Sequence, residues 1–278
     1  MKKISIIGCG LIGGSFAGLV KKYHPDIQII GIGRREAPLQ TATKIGLIDD
    51  FELAINATTM EASDIIIIAS PIATVLPIIE ELTKTVTESK TIIEFSSVKS
   101  FLNNPIVSES HHNIVAMHPM GGLDVQGLEH ATSTVLEGCP MIIFDTKNPL
   151  NTFIESCSFQ LIACPSYNVH DDWMMTISHG PYILASALPH MLGKKTDQEL
   201  SQLHTVSAGG FRDTTRVSNS AIEWGMDVLT GNQENAIAFI NQAVASLETL
   251  KSHLENENNE KLHDWLTLAK KTRNKVAK

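Results

Sequence analysis

The chain has 278 residues, 43% of them hydrophobic and 19% charged, which fits two globular domains and is unlike a disordered or collagen-like sequence. Its formal net charge of -8 argues against a general nucleic-acid-binding protein, which needs a basic face. The sequence also lacks the apolar core of a signal peptide and any apolar run of the roughly 18 residues that a membrane span needs, so we expect a soluble protein.

The cysteines indicate a reducing compartment. No two of them are arranged as C-x-x-C, and each has apolar or small neighbours. This pattern is typical of buried reduced thiols rather than of disulfides or zinc ligands, so we expect a cytoplasmic protein. The residues concerned are Cys9, Cys139, Cys157 and Cys164.

Short apolar runs alternate with helical patterns through the first part of the chain. Helical spacing covers residues 15–23 and 75–84. The runs are rich in isoleucine and valine without polar alternation, which is typical of strands covered on both faces, so we predict an α/β domain with a mostly parallel sheet. The predicted strands are residues 4–7, 27–32, 65–69, 91–95, 113–117, 140–144 and 160–164.

The second part of the chain is predicted to be helical. The β-branched runs end there, and residues 172–191 and 232–253 carry helical periodicity. Pro165 is a helix breaker, so we place the domain boundary beside it, with residues 1–165 in the α/β domain and residues 166–278 in an all-helical domain.

The first predicted strand leads into Gly8-Cys9-Gly10-Leu11-Ile12-Gly13, a G-x-G-x-x-G loop that opens a helix. In this context the first glycine permits a tight turn, the second lets a pyrophosphate approach the backbone, and the third lets helix and strand pack closely. The loop therefore predicts a dinucleotide-binding domain of the Rossmann type. The expected cofactor-binding residues in this loop and a neighbouring one are Gly8, Gly10, Leu11, Ile12, Gly13, Ser70 and Pro71.

The end of the second predicted strand bears on the choice of cofactor. An NAD-preferring site places a carboxylate there for the ribose hydroxyls, but this chain has Gly33-Arg34-Arg35. An arginine at this position can pair with a 2′-phosphate, so we favour NADP and assign Arg34 and Arg35 to the cofactor site. NAD stays the alternative, because Glu36 is close enough to contact the ribose if the turn is shifted.

Four segments, in order, are GCGLIGGS from Gly8 to Ser15, SSVKS from Ser96 to Ser100, HPMGG from His118 to Gly122 and GFRDTTR from Gly210 to Arg216. Together they resemble the prephenate/arogenate dehydrogenase family, nearest to its single-function cyclohexadienyl enzymes of cyanobacterial type. Many dehydrogenases share the first motif, whereas the last three in this order are specific. The resemblance implies a Rossmann-type domain, a helical domain that forms a homodimer, and NAD(P)-dependent oxidative decarboxylation of prephenate or arogenate in tyrosine biosynthesis.

The resemblance assigns proton removal from the substrate hydroxyl to His118, and a pKa near neutrality suits that task. We expect His118 to follow the strand at residues 113–117, at the carboxyl end of the sheet where active sites of this fold form. Ser97 matches the serine of the family's S-V-K segment and is expected to orient His118 or the substrate hydroxyl. A serine at the end of a strand can equally cap the following helix, and the two roles are compatible.

The resemblance also places three residues at the substrate. Arg216 matches the family arginine that holds a carboxylate by a charge-assisted pair. Arg212 lies four residues earlier on the same helical face and ranks second, because it can equally pair with Asp213. His179 matches the first histidine of the family's S-H-L-P-H segment. That segment reads SHGPY here, and Tyr182 replaces the second histidine of many members, which puts in doubt a role that needs both histidines.

Other polar residues receive no functional assignment. Trp224 is one position away from a tryptophan of some family members, so that role is not carried over. The His170-Asp171-Asp172 cluster is interpreted as the start of a helix rather than as a metal site. The histidines lack metal-ligand spacing, and we expect no metal.

Two other functions are weighed against this one. A catalytically silent Rossmann protein that senses redox state is disfavoured because His118, Ser97 and Arg216 occur together. A dehydrogenase of the β-hydroxyacid or imino-acid type lacks the HPMGG and GFRD segments. The residues leave prephenate and arogenate open, with the cyanobacterial-type resemblance and Arg34 favouring arogenate. The charged tail, residues 256–278, is either a solvated helix or one that binds a partner.

Overall fold

The computed structural model describes residues 1–276, so the last two residues of the predicted tail lie outside it. Within this range the strands form one eight-stranded sheet, in which only the sixth and seventh strands pair antiparallel. The strands are β1 (Lys3–Ile7), β2 (Gln28–Ile32), β3 (Asp50–Glu52), β4 (Ile65–Ile68), β5 (Thr91–Glu94), β6 (Asn113–Pro119), β7 (Pro140–Ile143) and β8 (Gln160–Ala163). Their order across the sheet is β3-β2-β1-β4-β5-β6-β7-β8.

Helices cover the sheet and make up most of the second part of the chain. The α-helices are α1 (Leu11–Tyr23), α2 (Glu36–Lys44), α3 (Ala57–Glu61), α4 (Ile72–Thr85), α5 (Pro105–Ser108), α6 (Leu150–Ser156), α7 (Tyr167–Met174), α8 (Gly180–Leu192), α9 (Asp197–Val206), α10 (Gly209–Thr215), α11 (Ile222–Gly231), α12 (Gln233–Glu255) and α13 (Asn259–Val276). The predicted class, an α/β domain of the Rossmann type followed by helices, is confirmed.

Burial on both faces of the sheet explains the isoleucine runs. All four residues of β4 are isoleucines that are at most 3% exposed. Ile67 packs in one apolar layer with Phe16 of α1, whereas Ile66 packs in the opposite layer with Val75 of α4. Each such side chain stabilises the fold by about 1.5 to 3 kcal/mol, so a strand of this composition is stable only between two layers of helices.

Two strand predictions need correction. β3 was not predicted, because its three residues include one apolar side chain, and it is defined by pairing with β2 from Ile30↔Asp50 onward. His118 was expected to follow its strand, but it lies within β6, since the antiparallel pairing His118↔Ile142 extends that strand to Pro119.

The helical segment that follows the sheet changes from α-helical to π-helical winding between α7 and α8. Ser166 caps α7 by accepting a 3.3 Å hydrogen bond from the Val169 N–H. The chain then passes through a π-helical turn, Met175–His179, directly into α8. Pro181 lies just after this π-helical turn, at the start of α8, where a residue without an N–H to donate is tolerated. Such turns are frequent at functional sites.

The chain divides into two compact units, residues 1–233 and residues 234–278. The sheet and the helices from α1 to α11 belong to the first unit, and most of α12 and all of α13 belong to the second. The boundary predicted at residue 165 falls inside the first unit. Across residues 1–276, no helix combines the length and the apolar character required to cross a membrane.

Candidate active site

The loop between β1 and α1 has the shape of a phosphate cradle. Gly8 has a φ of 84°, and a Cβ atom there would lie 2.6 Å from the Ser70 backbone nitrogen. A Cβ on Gly13 would lie 2.8 Å from the Gly8 carbonyl oxygen, so this glycine is required for helix and strand to pack. A Cβ on Gly10 would meet nothing closer than 3.9 Å, which leaves open space beside the backbone.

The start of α1 fits an anionic group. No side chain caps it, and its first turn, beginning at Leu11, contains no acidic residue. The positive end of the helix dipole and its free N–H groups therefore face this open space. Leu11 is buried and Ile12 half-buried, so they support the loop with apolar contacts. Ser70 and Pro71 follow β4, the neighbour of β1, and lie at the same sheet edge. This cradle fits the pyrophosphate of a dinucleotide.

The two arginines after β2 are available for a ligand. Arg34 and Arg35 are both exposed, and neither forms an ion pair with another residue in the described range. Arg35 is the N-cap residue of α2 and has an extended backbone, and Glu36 begins the helix. β2 lies beside β1, so both arginines are on the cofactor side of the sheet edge.

Three side chains form a hydrogen-bonded chain beside this edge. His118 Nδ1 lies 2.9 Å from His170 Nε2, although the two residues are 52 positions apart. His170 Nδ1 lies 2.7 Å from Asp171 Oδ1. The Asp171 carboxylate also accepts the backbone N–H groups of Lys99 at 2.8 Å and Ser100 at 2.7 Å. Asp171 is therefore fixed, and it fixes the two histidines in turn.

The hydrogen bonds assign the tautomers of the neutral rings. An ionised carboxylate only accepts, so His170 carries its proton on Nδ1 and leaves Nε2 as an acceptor. His118 must then donate from Nδ1, which leaves a lone pair on its Nε2 atom. Within residues 1–276 this Nε2 atom has no hydrogen-bond partner. The arrangement can therefore accept a proton at His118 Nε2, while the hydrogen bonds through His170 and Asp171 hold the ring in place.

The electrostatic environment keeps His118 and His170 neutral and Asp171 ionised. Burial, with the nearby His170 and Lys99, holds the pKa of His118 well below its ordinary value of 6.5. Burial also lowers the pKa of His170, against an opposing hydrogen bond to Asp171. Burial alone would raise the pKa of Asp171, but the hydrogen bonds from His170, Ser100 and Lys99 outweigh it and leave the pKa below 3.8. At neutral pH both histidines are neutral and Asp171 is ionised.

His170 and Asp171 were not assigned to the site from the sequence. Their interpretation as a helix start overlooked that α7 begins at Tyr167 and turns both side chains inward, where they are at most 1% exposed. A polar pair placed one turn after a capping serine is the signal that was available. Asp172 is exposed and takes no part.

Ser97 is half-buried in the loop after β5, and its hydroxyl makes no hydrogen bond to His118 or to any other residue in the described part of the chain. It does not cap the 3-10 turn that follows, Ser100–Asn103, whose N-cap residue is Lys99. Ser97 thus has a free hydroxyl at the same sheet edge as His118, because β5 and β6 are parallel neighbours.

His179 ends the π-helical turn that follows α7, and it lowers the pKa of His118. It is fully buried, neither ring nitrogen has a hydrogen-bond partner among residues 1–276, and burial lowers its pKa to about 4. Trp224 packs edge-on between His179 and Tyr182, with ring centroids 6.1 and 5.2 Å away. Tyr182 also lies against Gly225, where a Cβ would be 2.3 Å from its hydroxyl oxygen. The segment SHGPY thus forms an uncharged aromatic cluster with α11.

The two arginines of the GFRDTTR segment differ in their contacts. Arg212 pairs with Asp213 at 3.2 Å, and both side chains are about three-quarters exposed. Arg216 is exposed in the turn after α10, and no carboxylate in residues 1–276 pairs with it. Arg216 is therefore available for an anionic ligand, and Arg212 is partly neutralised.

Comparison with known proteins identifies one family over most of the chain. The profile of the "Prephenate dehydrogenase, nucleotide-binding domain" matches residues 16–158. The profile of the "Prephenate dehydrogenase, dimerization domain" matches residues 166–268.

Individual relatives agree with these profiles. The prephenate dehydrogenase of Lactococcus lactis is 32% identical over 260 residues, which cover 92% of this chain and 70% of the relative. The prephenate dehydrogenase of Bacillus subtilis is 29% identical over 276 residues, which cover 96% of this chain and 74% of the relative. The cyclohexadienyl dehydrogenase of Zymomonas mobilis is 24% identical over 279 residues, which cover 98% of this chain and 95% of the relative.

Solved structures extend the likeness to three dimensions. The prephenate dehydrogenase of Aquifex aeolicus in complex with hydroxyphenyl propionate and NAD+ superposes with a TM-score of 0.87 at 26% identity, covering 99% of this chain and 98% of that one. The arogenate dehydrogenase of Synechocystis gives a TM-score of 0.80 at 25% identity, covering 99% and 100%.

The two profiles and the relatives agree with the dinucleotide cradle, so the alternatives of a silent redox sensor or of a β-hydroxyacid or imino-acid dehydrogenase are not retained. The chain belongs to the prephenate dehydrogenase family, the nicotinamide-dependent oxidoreductases that oxidatively decarboxylate prephenate or arogenate in tyrosine biosynthesis.

Proposed function

We propose that His118 is the proton acceptor of this oxidative decarboxylation, held in its reactive form by His170 and Asp171. The observation that carries the proposal is the pair of hydrogen bonds, 2.9 Å from His118 to His170 and 2.7 Å from His170 to Asp171. Together they leave an unprotonated nitrogen on His118, which lies near the carboxyl end of β6, and the cofactor cradle also lies at the carboxyl end of the sheet.

The reaction requires a hydride acceptor, a proton acceptor and groups that orient the substrate. A nicotinamide cofactor held at the loop of Gly8, Gly10 and Gly13 would supply the acceptor for the hydride that leaves ring carbon 4 of the substrate. His118 Nε2 takes the proton of the 4-hydroxyl as the carbon–oxygen bond gains double-bond character. The carboxylate on ring carbon 1 leaves as carbon dioxide, its bonding electrons complete the aromatic ring, and the proton returns to the oxygen. The free hydroxyl of Ser97 is placed to orient His118 or the substrate hydroxyl.

Four assays test this function. Reduced-cofactor formation is followed with prephenate or arogenate as substrate and NAD or NADP as cofactor. Turnover in any combination supports the reaction and fixes the side chain of the substrate, for which the sequence favours arogenate. The absence of turnover in all four, with a folded protein, would contradict the proposed function.

We propose NADP as the preferred cofactor, supported by two exposed arginines after β2 that lack ion-pair partners. Replacing Arg34 with alanine is expected to raise the KM for NADP about 10-fold, because a charge-assisted pair with the 2′-phosphate is lost. The KM for NAD should change little. Lys44→Ala, which removes an exposed cation from the other end of α2, is the control. A wild-type preference for NAD would overturn this assignment.

We propose that Arg216 binds a substrate carboxylate, supported by its exposure and lack of a carboxylate partner. Arg216→Met is expected to raise the substrate KM about 10- to 100-fold, the loss of one charge-assisted hydrogen bond or pair. Arg212→Met is the matched control and should have a smaller effect, because Arg212 already pairs with Asp213. Equal effects of both variants would show that only the general positive potential matters.

We propose a homodimer formed through the second part of the chain. Four exposed apolar residues of α12 follow one another at spacings of three and four residues, as in a helix that packs against a partner. The match to a dimerization domain supports the same conclusion. Light scattering should give twice the monomer mass of 30.3 kDa, and a monomer would contradict the proposal. The stripe consists of Ile237, Ile240, Val244 and Leu247.

We also propose a functional boundary near residue 165 and a cytoplasmic location. A functional boundary near residue 165 is supported by the gap between the two matched profiles, although residues 1–233 form one compact unit. A cytoplasmic location is supported by four unpaired cysteines.

A further inference from the structure

A buried ion pair lies behind the histidine chain. The Lys99 side chain is fully buried and forms an ion pair with the equally buried Glu94 carboxylate. Its ammonium also donates to the Met117 carbonyl oxygen at 2.9 Å and to the Glu94 carbonyl oxygen at 3.2 Å. The Glu94 carboxylate in turn accepts the Ser96 N–H. All of these groups are satisfied by protein atoms.

Lys99 is linked by hydrogen bonds to both ends of the His118–His170–Asp171 chain. Its ammonium holds the carbonyl of Met117, the residue immediately before His118. Its backbone N–H donates to Asp171 at 2.8 Å, and Asp171 holds His170. One residue therefore connects β5, β6 and α7 at the point where the proton acceptor is formed.

We propose that Lys99, anchored by Glu94, is a positioning residue that fixes the His118–His170–Asp171 chain. The proposal rests on the proposed function, because it assumes that this chain accepts the proton. No contact of Lys99 with substrate or cofactor is needed.

Stability alone does not account for a buried pair at this position. Two charges removed from water lose several kcal/mol of hydration, and well-packed apolar side chains of similar volume are often as stabilising or more so. β5 and β6 are already joined by their backbone ladder from Thr91↔Asn113 to Glu94↔Ala116. The pair instead supplies a directed donor to Met117 and places an ammonium group beside the histidines; burial lowers the pKa of Lys99, and Glu94 and Asp171 oppose that shift.

The positive charge of Lys99 lowers the pKa of His118. The cations and potential cations facing His118 are Lys99 from the loop after β5, His170 from α7 and His179 from the π-helical turn. Each opposes protonation of His118, together with burial. Asp171 and Glu94 act on His170 in the opposite direction. Removing the Lys99 charge must therefore raise the pKa of His118, whether Glu94 then stays ionised or takes a proton.

The test variant is Lys99→Met, which keeps an unbranched side chain, one heavy atom shorter, and removes its charge. We expect kcat/KM to fall about 10²-fold, the usual cost of displacing a catalytic group by about 1 Å. We also expect the acidic limb of its pH profile to move upward by about one pH unit. Histidine ring NMR, with His118 assigned by His118→Gln, should show the same upward movement of its titration without any turnover.

The matched control is Lys90→Met. Lys90 is also mostly buried and ion-paired, but it precedes β5 and bonds to Glu88 and to the Glu61 carbonyl. It should lose stability without a change in the pH profile. If Lys99→Met behaves in the same way, with only a lower Tm, the proposal is overturned.

Glu94→Gln covers the case in which Lys99→Met does not fold. The amide keeps the volume of Glu94 but has one acceptor oxygen for two donors, the Lys99 ammonium and the Ser96 N–H, and it removes the counter-charge of Lys99, so we expect kcat/KM to fall about 10-fold. A folded Glu94→Gln protein with full activity would overturn the proposal. If the wild-type protein turns over neither substrate, the proposed function fails, and the NMR titration still decides whether Lys99 controls His118.

Discussion

Replacing His118 with glutamine is expected to lower kcat about 10³- to 10⁴-fold while the protein stays folded. Glutamine can still donate to His170, so the local hydrogen bonding is largely preserved, but it cannot accept a proton at the position of Nε2. The loss should appear in kcat more than in KM, because the interaction develops as the hydroxyl proton leaves.

The pH profile gives a second measure of the same group. The pKa of His118 is held below 6.5, chiefly by burial, so the unprotonated ring is present throughout the neutral range. The wild-type kcat/KM should therefore be constant near pH 7 and fall only below pH 6.5. This acidic limb should disappear from the residual activity of His118→Gln.

His111→Gln is the appropriate control for this experiment. His111 lies just before β6, near the opposite end of the strand, and its ring contacts the Val86 carbonyl oxygen. Its replacement should leave kcat and the acidic limb unchanged. Equal losses in the two variants, or a His118→Gln enzyme with nearly full kcat, would remove His118 from the mechanism.

Replacing Asp171 with asparagine is expected to lower kcat/KM about 10³-fold, because it disturbs the tautomers of both histidines. The two carboxylate oxygens accept three donors, namely the His170 ring and the backbone N–H groups of Lys99 and Ser100. An amide nitrogen cannot accept any of them. If it faces His170, that ring must accept on Nδ1 and donate from Nε2 toward His118, and His118 then carries its proton on Nε2.

The neighbouring residue supplies the control. Asp172→Asn removes the same charge from an exposed position on the same helix and should change kcat/KM little. The two variants are compared by kcat/KM, by Tm and by histidine ring NMR, which reports the tautomer directly. An Asp171→Asn enzyme with normal activity and an unchanged His118 tautomer would show that Asp171 and His170 do not control His118.

Much of the fold was determined by the local sequence. Buried strands such as β4, with four consecutive isoleucines, cannot be exposed on either face, so a covered parallel sheet follows from composition alone. The glycine pattern of the first loop is equally local, because Gly8 needs a positive φ and Gly13 must lie against the Gly8 carbonyl. The helical second part follows from its periodicity. These predictions, and the family that the four segments indicated, are confirmed.

The site was determined only in part. The sequence singled out His118, Ser97, His179 and Arg216 as residues for a common site, and their roles remain predictions. It gave no sign that His118 has His170 as its partner, because that hydrogen bond joins residues 52 positions apart. Only the packing of α7 against the sheet brings the two rings together.

The tertiary structure also determined features that local sequence patterns do not predict. β3 is a strand because β2 offers it a hydrogen-bonding edge, not because of its own three residues. In the sequence, Lys99 is an ordinary polar residue in the loop after a strand. In the structure, its ammonium is fully buried between two strands and a helix. Composition, periodicity and loop glycines are properties of neighbouring residues and are determined by the sequence itself. The protonation state of His118 depends on groups from three separate elements, so only the folded chain determines it.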